Sequence, residues 1–219
     1  MTFGDEDEGV DLQPSERSHG GRPHDNERRR ISTWRKSLDR PTVGAASRQL
    51  AGRAASDPTL STLRTALATD LLATYWPLWG EIDPYPLAEK LLGLDGGTAR
   101  MVYPMIRGER LDWYRWSGAV PPKGRVRGTP DPGDDVAAIG VEAVGLMLVP
   151  LVAFDAAGNR LGHGAGHYDR TLGPIERTSR PLLAGLAYDE QELDEWAPED
   201  WDVPLDLVLT PTRTMFAGS

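Results

Sequence analysis

Gly145-Leu146-Met147-Leu148-Val149 is apolar at every position, and so is Leu182 to Ala187. A strand with one wet face alternates between polar and apolar residues. A strand with no polar residue is covered on both faces, which is the interior position of a parallel or mixed sheet packed between helices. The rest of the chain supplies those helices. Trp34 and Leu38 lie four apart in a helical stretch from Ile31 to an interruption at Pro41, and Thr42 caps a second helix towards Ala55. Asp57-Pro58 breaks and restarts the pattern for Thr59 to Ala68, and Asp83 caps a helix whose buried stripe is Leu87, Leu91 and Leu92. Further strands are expected at Leu71 to Trp76, Arg100 to Tyr103, Leu111 to Trp116 and, last, Leu205 to Leu209. Pro121 to Gly133, rich in Pro, Gly and Arg, is expected to be a surface loop. The pattern predicts a three-layer α/β/α protein with a mostly parallel or mixed central sheet.

The 219 residues suit one domain. Residues 1–30 carry Asp5-Glu6-Asp7-Glu8 and Arg28-Arg29-Arg30 but almost no large apolar side chain, so they are expected to form a disordered extension before a single α/β domain at 31–219. With 24 Lys and Arg against 33 Asp and Glu, the net charge of −9 argues against a nucleic-acid or anionic-membrane partner. The absence of cysteine excludes disulfides, thiol nucleophiles and Cys-ligated metals. The apolar run Val144 to Phe154 is split by Pro150 and falls short of the ~20 residues of a membrane span. The acidic start is unlike a secretory signal, and a cytoplasmic setting is expected.

Chemistry concentrates in Arg160-Leu161-Gly162-His163-Gly164-Ala165-Gly166-His167-Tyr168-Asp169-Arg170, which follows a buried strand. Glycines at alternate positions let backbone N–H groups converge on an anion such as a nucleotide's phosphates, with Arg160 and Arg170 adding charge and Asp169 available to Mg²⁺. The run is neither a Walker A loop nor a dinucleotide fingerprint, and by spacing alone a tight structural turn is an equal reading. His163 and His167, four apart, would share a metal with Asp169 only on a helix, which the glycines oppose. Glu81 alone reads as a first-turn acid at a helix N-terminus, whereas Asp206, inside an apolar segment, needs a partner or a cation.

Together with Leu148-Val149-Pro150-Leu151-Val152-Ala153-Phe154-Asp155, this run resembles the signature of the 5-formyltetrahydrofolate cyclo-ligase (5,10-methenyltetrahydrofolate synthetase) family. Tyr75-Trp76-Pro77-Leu78-Trp79-Gly80-Glu81-Ile82-Asp83, Pro104 with Leu111 to Trp116, and Asp202-Val203-Pro204-Leu205-Asp206 with Thr210 are similar to further family blocks, in family order from about Trp34 to Thr210. The resemblance implies a NagB/RpiA/CoA transferase-like fold. It also implies an enzyme that uses ATP and Mg²⁺ to close 5-formyltetrahydrofolate to 5,10-methenyltetrahydrofolate, releasing ADP and phosphate; a monomer is expected. By the same resemblance Arg160 and Tyr168 are catalytic, and Arg35, Lys36 and Arg160 to Tyr168 (Leu161, Gly162, His163, Gly164, Ala165, Gly166, His167) bind ATP. Trp76, Glu81 and His163 to His167 contact the folate, and Asp169 and Asp206 bind the metal. His167 stands where the family has Tyr, Ala165 where it has Gly or Lys, and Trp201 where His is common. These departures leave open another substrate on the same fold, or a binding protein without turnover.

Overall fold

The computed structural model describes residues 24–217, apart from 57, 69, 94–96, 117–119, 127, 128 and 195. Its helices are α1 (Asp25–Lys36), α2 (Arg40–Ser56), α3 (Thr59–Leu67), α4 (Tyr85–Leu92) and α5 (His167–Leu172). The strands are β1 (Leu71–Ala73), β2 (Met101–Arg107), β3 (Arg110–Arg115), β4 (Gly124–Val126), β5 (Thr129–Asp131), β6 (Val144–Pro150), β7 (Ala153–Phe154), β8 (Arg160–Leu161), β9 (Leu182–Leu186), β10 (Leu207–Leu209) and β11 (Thr214–Phe216). Seven strands form one sheet in the order β11-β10-β9-β6-β1-β2-β3. Every pairing from β10 to β2 is parallel, and the two edge strands, β11 and β3, pair antiparallel.

The unbroken apolar strands behave as their composition requires. In β6, Leu146 and Leu148 pack into the core shared with Leu50 of α2, Leu63 of α3 and Leu87 of α4. Met147 and Val149 point into a second core with Trp113, Phe154, Leu172 and Leu205. The sheet is therefore mostly parallel, mixed and covered on both faces, but the two coverings differ. Three helices, α2 to α4, lie on one side; the other is closed by the short α5 and by connecting segments.

Several local expectations are corrected. Helix α1 starts at Asp25, inside the stretch expected to be disordered; residues 1–23 of that stretch lie outside the described residues. The fully buried Ile31 anchors the helix against Val152, Ala153 and Leu161, and Asp25 and Glu27 favour its N-terminal turn. Pro41 does not stop a helix. It sits in the first turn of α2, where a missing N–H costs nothing, and the Asp39 carboxylate, rather than Thr42, accepts the Thr42 N–H at 2.9 Å. Asp83 does cap α4, accepting the Tyr85 N–H at 3.0 Å. β1 ends at Ala73 instead of Trp76; the Thr74 N–H still donates to the Val102 carbonyl at 2.9 Å, and the chain then leaves the sheet, with the Tyr75 hydroxyl donating to the Ile82 carbonyl at 2.6 Å. The Pro121 to Gly133 segment carries the β4–β5 hairpin, and β10 is followed by the edge strand β11.

Tyr103, Tyr114 and Tyr188 are buried in or beside this core, and burial raises each hydroxyl from 10.0 to about 12. Because the folded pKa lies above the unfolded one, the stabilisation is intact below pH 10 and is lost as pH climbs through 12. Urea midpoints should be level from about pH 7 to 9 and fall between about pH 10 and 12. A level midpoint across the upper range would contradict this burial.

Candidate active site

β1 is the point where the strand order reverses, with β2 on one side and β6 on the other. In open α/β sheets the crevice outside the carboxyl ends of strands at such a switch point is where ligands bind. The segment after β1 runs through Trp76, Trp79 and Glu81. The segment after β6 runs through β7, β8 and the glycine loop into α5. Thus the two stretches with the most distinctive sequence emerge side by side.

The glycine loop is built on a rigid base. β7 and β8 pair antiparallel, and fully buried Asp155 accepts the Asn159 N–H at 2.9 Å and its Nδ2 at 2.8 Å. Beyond β8, Gly164 (φ +90°) and Gly166 (φ +66°) hold left-handed conformations that a side chain would strain. This loop forms one wall of a cleft of about 1140 Å³. Six arginines also line it: Arg28, Arg110, Arg160, Arg170, Arg177 and Arg180. Five carboxylates, Glu109, Asp169, Glu199, Asp200 and Asp202, line it as well, so its walls carry a small positive excess in a protein of net charge −9, the sign of local field that suits a polyanionic ligand. Arg160, whose side chain is 5% exposed, donates to the Val203 carbonyl at 2.5 Å and to Asp169 at 2.7 Å. Asp169 also accepts the Val203 N–H at 3.2 Å. The Arg160 guanidinium lies 5.6 Å from the Tyr168 ring centroid. Burial raises the pKa of the Tyr168 hydroxyl, outweighing the opposing pull of Arg160.

On the other side of the loop a smaller cleft, about 320 Å³, is lined by Asp25, Arg28, Arg29, Ser32, Val152 and His163. Arg28 borders both clefts and donates Nε to the Gly162 carbonyl at 3.1 Å. His163 donates Nε2 to Glu81 Oε1 at 3.0 Å, and the same oxygen pairs with Arg35 Nη2 at 3.4 Å. Arg35 is 1% exposed and donates Nη1 to the Leu151 carbonyl at 2.7 Å. The other Glu81 oxygen accepts the Leu78 N–H at 2.9 Å. Glu81 is therefore a buried carboxylate fully engaged by a cation, an imidazole and a main-chain amide.

The structure brings Arg160, Leu161, Gly162, Gly164, Ala165, Gly166 and Asp169 to the large cleft and His163 to the small one. The remaining expected residues have other surroundings. Arg35 is sealed in its pair with Glu81, and Lys36 lies over the Trp79 ring, so the α1 cation that meets the glycine loop is Arg28. Its signal was in the sequence: Arg28, Ile31 and Arg35 lie three and four apart on one helical face, legible once the helix is extended back. Trp76 stacks on Tyr103, centroids 4.1 Å apart, and donates Nε1 to the Tyr114 hydroxyl at 2.9 Å. His167 is buried, with Nδ1 donating to the Glu109 carbonyl at 2.9 Å and Nε2 without a hydrogen-bond partner among the described residues.

Both Asp206 oxygens are occupied, one by Arg177 and Arg180 at 3.2 Å each, the other by the Leu183 N–H at 2.9 Å. A cation there would have to displace two arginines. Among the described residues no three His, Asp or Glu side chains form a metal cluster, which also disposes of a His163–His167–Asp169 metal site. Asp169, with one oxygen paired and the cleft beside it, suits a Mg²⁺ held by one carboxylate and a ligand's phosphates.

Fold and site together define an α/β protein of the open, switch-point type, with a glycine loop between an arginine-lined cleft and a buried carboxylate. The family model for 5-formyltetrahydrofolate cyclo-ligases matches residues 22–211, and the chain belongs to that family. It is 31% identical over 147 residues to 5-formyltetrahydrofolate cyclo-ligase of Escherichia coli, an alignment covering 65% of this chain and 78% of that one. The protein of that name from Mycolicibacterium smegmatis is 34% identical over 154 residues, covering 67% and 76%. The NMR structure of Aquifex aeolicus 5,10-methenyltetrahydrofolate synthetase superposes with a TM-score of 0.67 at 24% identity, over 89% of this chain and 92% of that one. That level of identity speaks for the fold.

Proposed function

We propose that this chain closes 5-formyltetrahydrofolate to 5,10-methenyltetrahydrofolate at the expense of ATP. The observation that carries the reading is that one loop serves two places. Gly162 to Gly166 lines the arginine-rich cleft, while His163 reaches the buried Glu81 on the far side. A reaction between two bound ligands needs that arrangement. The formyl oxygen attacks the γ-phosphorus, a P–O bond forms and ADP leaves with the bond it broke. N10 then adds to the activated formyl carbon and loses its proton, and phosphate departs carrying the former formyl oxygen. The protein has to orient both ligands and neutralise charge as it develops on the transferred group.

Arg28, Arg160 and the N–H groups of the glycine loop hold the phosphates. Tyr168 donates a hydrogen bond, and Glu81 with His163 meets the polar edge of the folate. Asp169 would hold Mg²⁺, which supplies positive charge at the phosphates. Asp206 holds Arg177 and Arg180 at the cleft. A monomer acting in the cytoplasm, without nucleic-acid or membrane partners, completes the reading; no helix among the described residues is long and apolar enough to cross a membrane.

Mixing the protein with 5-formyltetrahydrofolate, ATP and Mg²⁺ should produce methenyl absorbance in step with ADP. Folate and ATP binding without product would leave a binding protein instead, and absence of folate binding would mean another substrate. Asp169→Asn should raise the Mg²⁺ concentration needed for half-maximal rate by roughly 10–100-fold. An unchanged Mg²⁺ requirement would refute the assignment.

A further inference from the structure

Trp79 is a bulky residue in the left-handed region, at φ +51°, and half of its surface is exposed. Neither fact follows from folding. An L residue with a large side chain is strained at that φ, and glycine would occupy it freely. A half-exposed indole contributes little burial in return. The surrounding backbone enforces the conformation. Gly80 (φ +75°) packs so closely on α1 that a Cβ would lie 2.1 Å from the Arg35 carbonyl oxygen. The Tyr188 hydroxyl donates to the Gly80 carbonyl at 3.0 Å, and the turn closes through the Glu81 N–H to the Leu78 carbonyl at 3.1 Å. The result is an aromatic plane displayed at the switch-point crevice on a clamped turn. Its ring lies 5.3 Å from the His163 ring at 74°, and the His163 imidazole is the one that holds Glu81. The Lys36 ammonium sits 5.6 Å from the indole centroid. Lys36 is an exposed side chain, which a ligand can displace without opening the core.

Strain kept at an exposed aromatic beside a buried carboxylate marks a contact made with a ligand. Resting on the proposed cyclo-ligase reading, we infer that Trp79 is a substrate-binding residue whose indole packs on a flat ring of the folate, on the Glu81 side of the glycine loop. Adenine is the other planar ring in the reaction. Its place follows the polyphosphate into the arginine-lined cleft, whose lining does not include Trp79.

Trp79→Gly separates this role from a structural one, because glycine relieves the backbone while deleting the ring. Binding of 5-formyltetrahydrofolate without ATP, and of ATP without folate, would be measured by equilibrium dialysis alongside thermal midpoints for wild type, Trp79→Gly and Trp79→Phe. The expected result is a Trp79→Gly midpoint at or above wild type, folate binding weakened at least about tenfold, ATP binding within about twofold, and Trp79→Phe close to wild type, since an aromatic contact is lost and then restored. Unchanged folate binding in Trp79→Gly, a loss confined to ATP, or a lowered midpoint would each overturn the inference while leaving the cyclo-ligase reading in place. Failure of the wild-type protein to bind 5-formyltetrahydrofolate would overturn both.

Discussion

Glu81→Ala is expected to destabilise the fold by about 3–5 kcal/mol, the cost of leaving a buried cation without its partner. Arg35 is the reason. Its guanidinium is almost wholly buried, its Nη2 meets Glu81 at 3.4 Å and its Nε already lacks a partner. Removing the carboxylate leaves the Leu151 carbonyl as the sole remaining acceptor among its described bonds. The same change frees His163 and the Leu78 N–H, so the turn that carries Trp79 loosens as well. Combining Arg35→Met with Glu81→Leu should recover most of the lost stability, because a buried ion pair is often replaceable by apolar residues of similar volume. Folate binding should not recover, since the carboxylate is gone. Chemical denaturation of the two variants checks the first statement and dialysis the second. A Glu81→Ala protein as stable as wild type would show that the pair contributes nothing to holding α1 against the sheet.

Arg160→Met is expected to lower kcat by about 10²–10³, the range measured when one preorganised donor to developing charge is removed. The side chain is fixed at both ends, by the Val203 carbonyl and by Asp169, so it reaches the cleft without further ordering. Arg160→Lys should restore little. A point charge on a flexible stem cannot hold the Val203 carbonyl and Asp169 together as the planar fork does. Arg177→Met is the internal comparison, because Arg177 lines the same cleft but its side chain is 69% exposed. Its effect on kcat should stay under about tenfold, in keeping with the small worth of exposed ion pairs. Equal losses in Arg160→Met and Arg177→Met would mean that the cleft acts through net charge alone.

Why these residues matter was legible in part from the chain. The unbroken apolar run of β6 required a strand covered on both faces, and the structure divides its side chains between two cores. The alternate glycines after it allowed either a phosphate cradle or a tight turn, and two of them adopt positive φ in the cleft wall. The failures share a cause: local pattern competes with contacts distant in sequence. α1 carries only two large apolar side chains, Ile31 and Trp34, and what holds it is Ile31 in a pocket more than a hundred residues away in sequence and Arg28 on Gly162. Arg35 and Lys36 look alike as neighbouring cations. One is buried against Glu81 and the other lies over Trp79, and only the packing of α1 on the switch-point crevice decides which is which. Asp206 read as a carboxylate needing a partner or a cation and was expected to bind the metal; its partners are Arg177 and Arg180, whose separation from it along the chain carries no periodic signal. The positive φ of Trp79 is invisible in sequence, because nothing about a tryptophan before a glycine announces it.

The central claim is that the protein joins two ligands across the glycine loop by phosphorylating the formyl oxygen. Its most direct test is to supply 5-formyltetrahydrofolate labelled with ¹⁸O in the formyl group, with unlabelled ATP, and to analyse the released phosphate by mass spectrometry. The account predicts one labelled oxygen in each phosphate formed, in step with methenyl product. Methenyl product accompanied by unlabelled phosphate, with the label recovered in water, would contradict it.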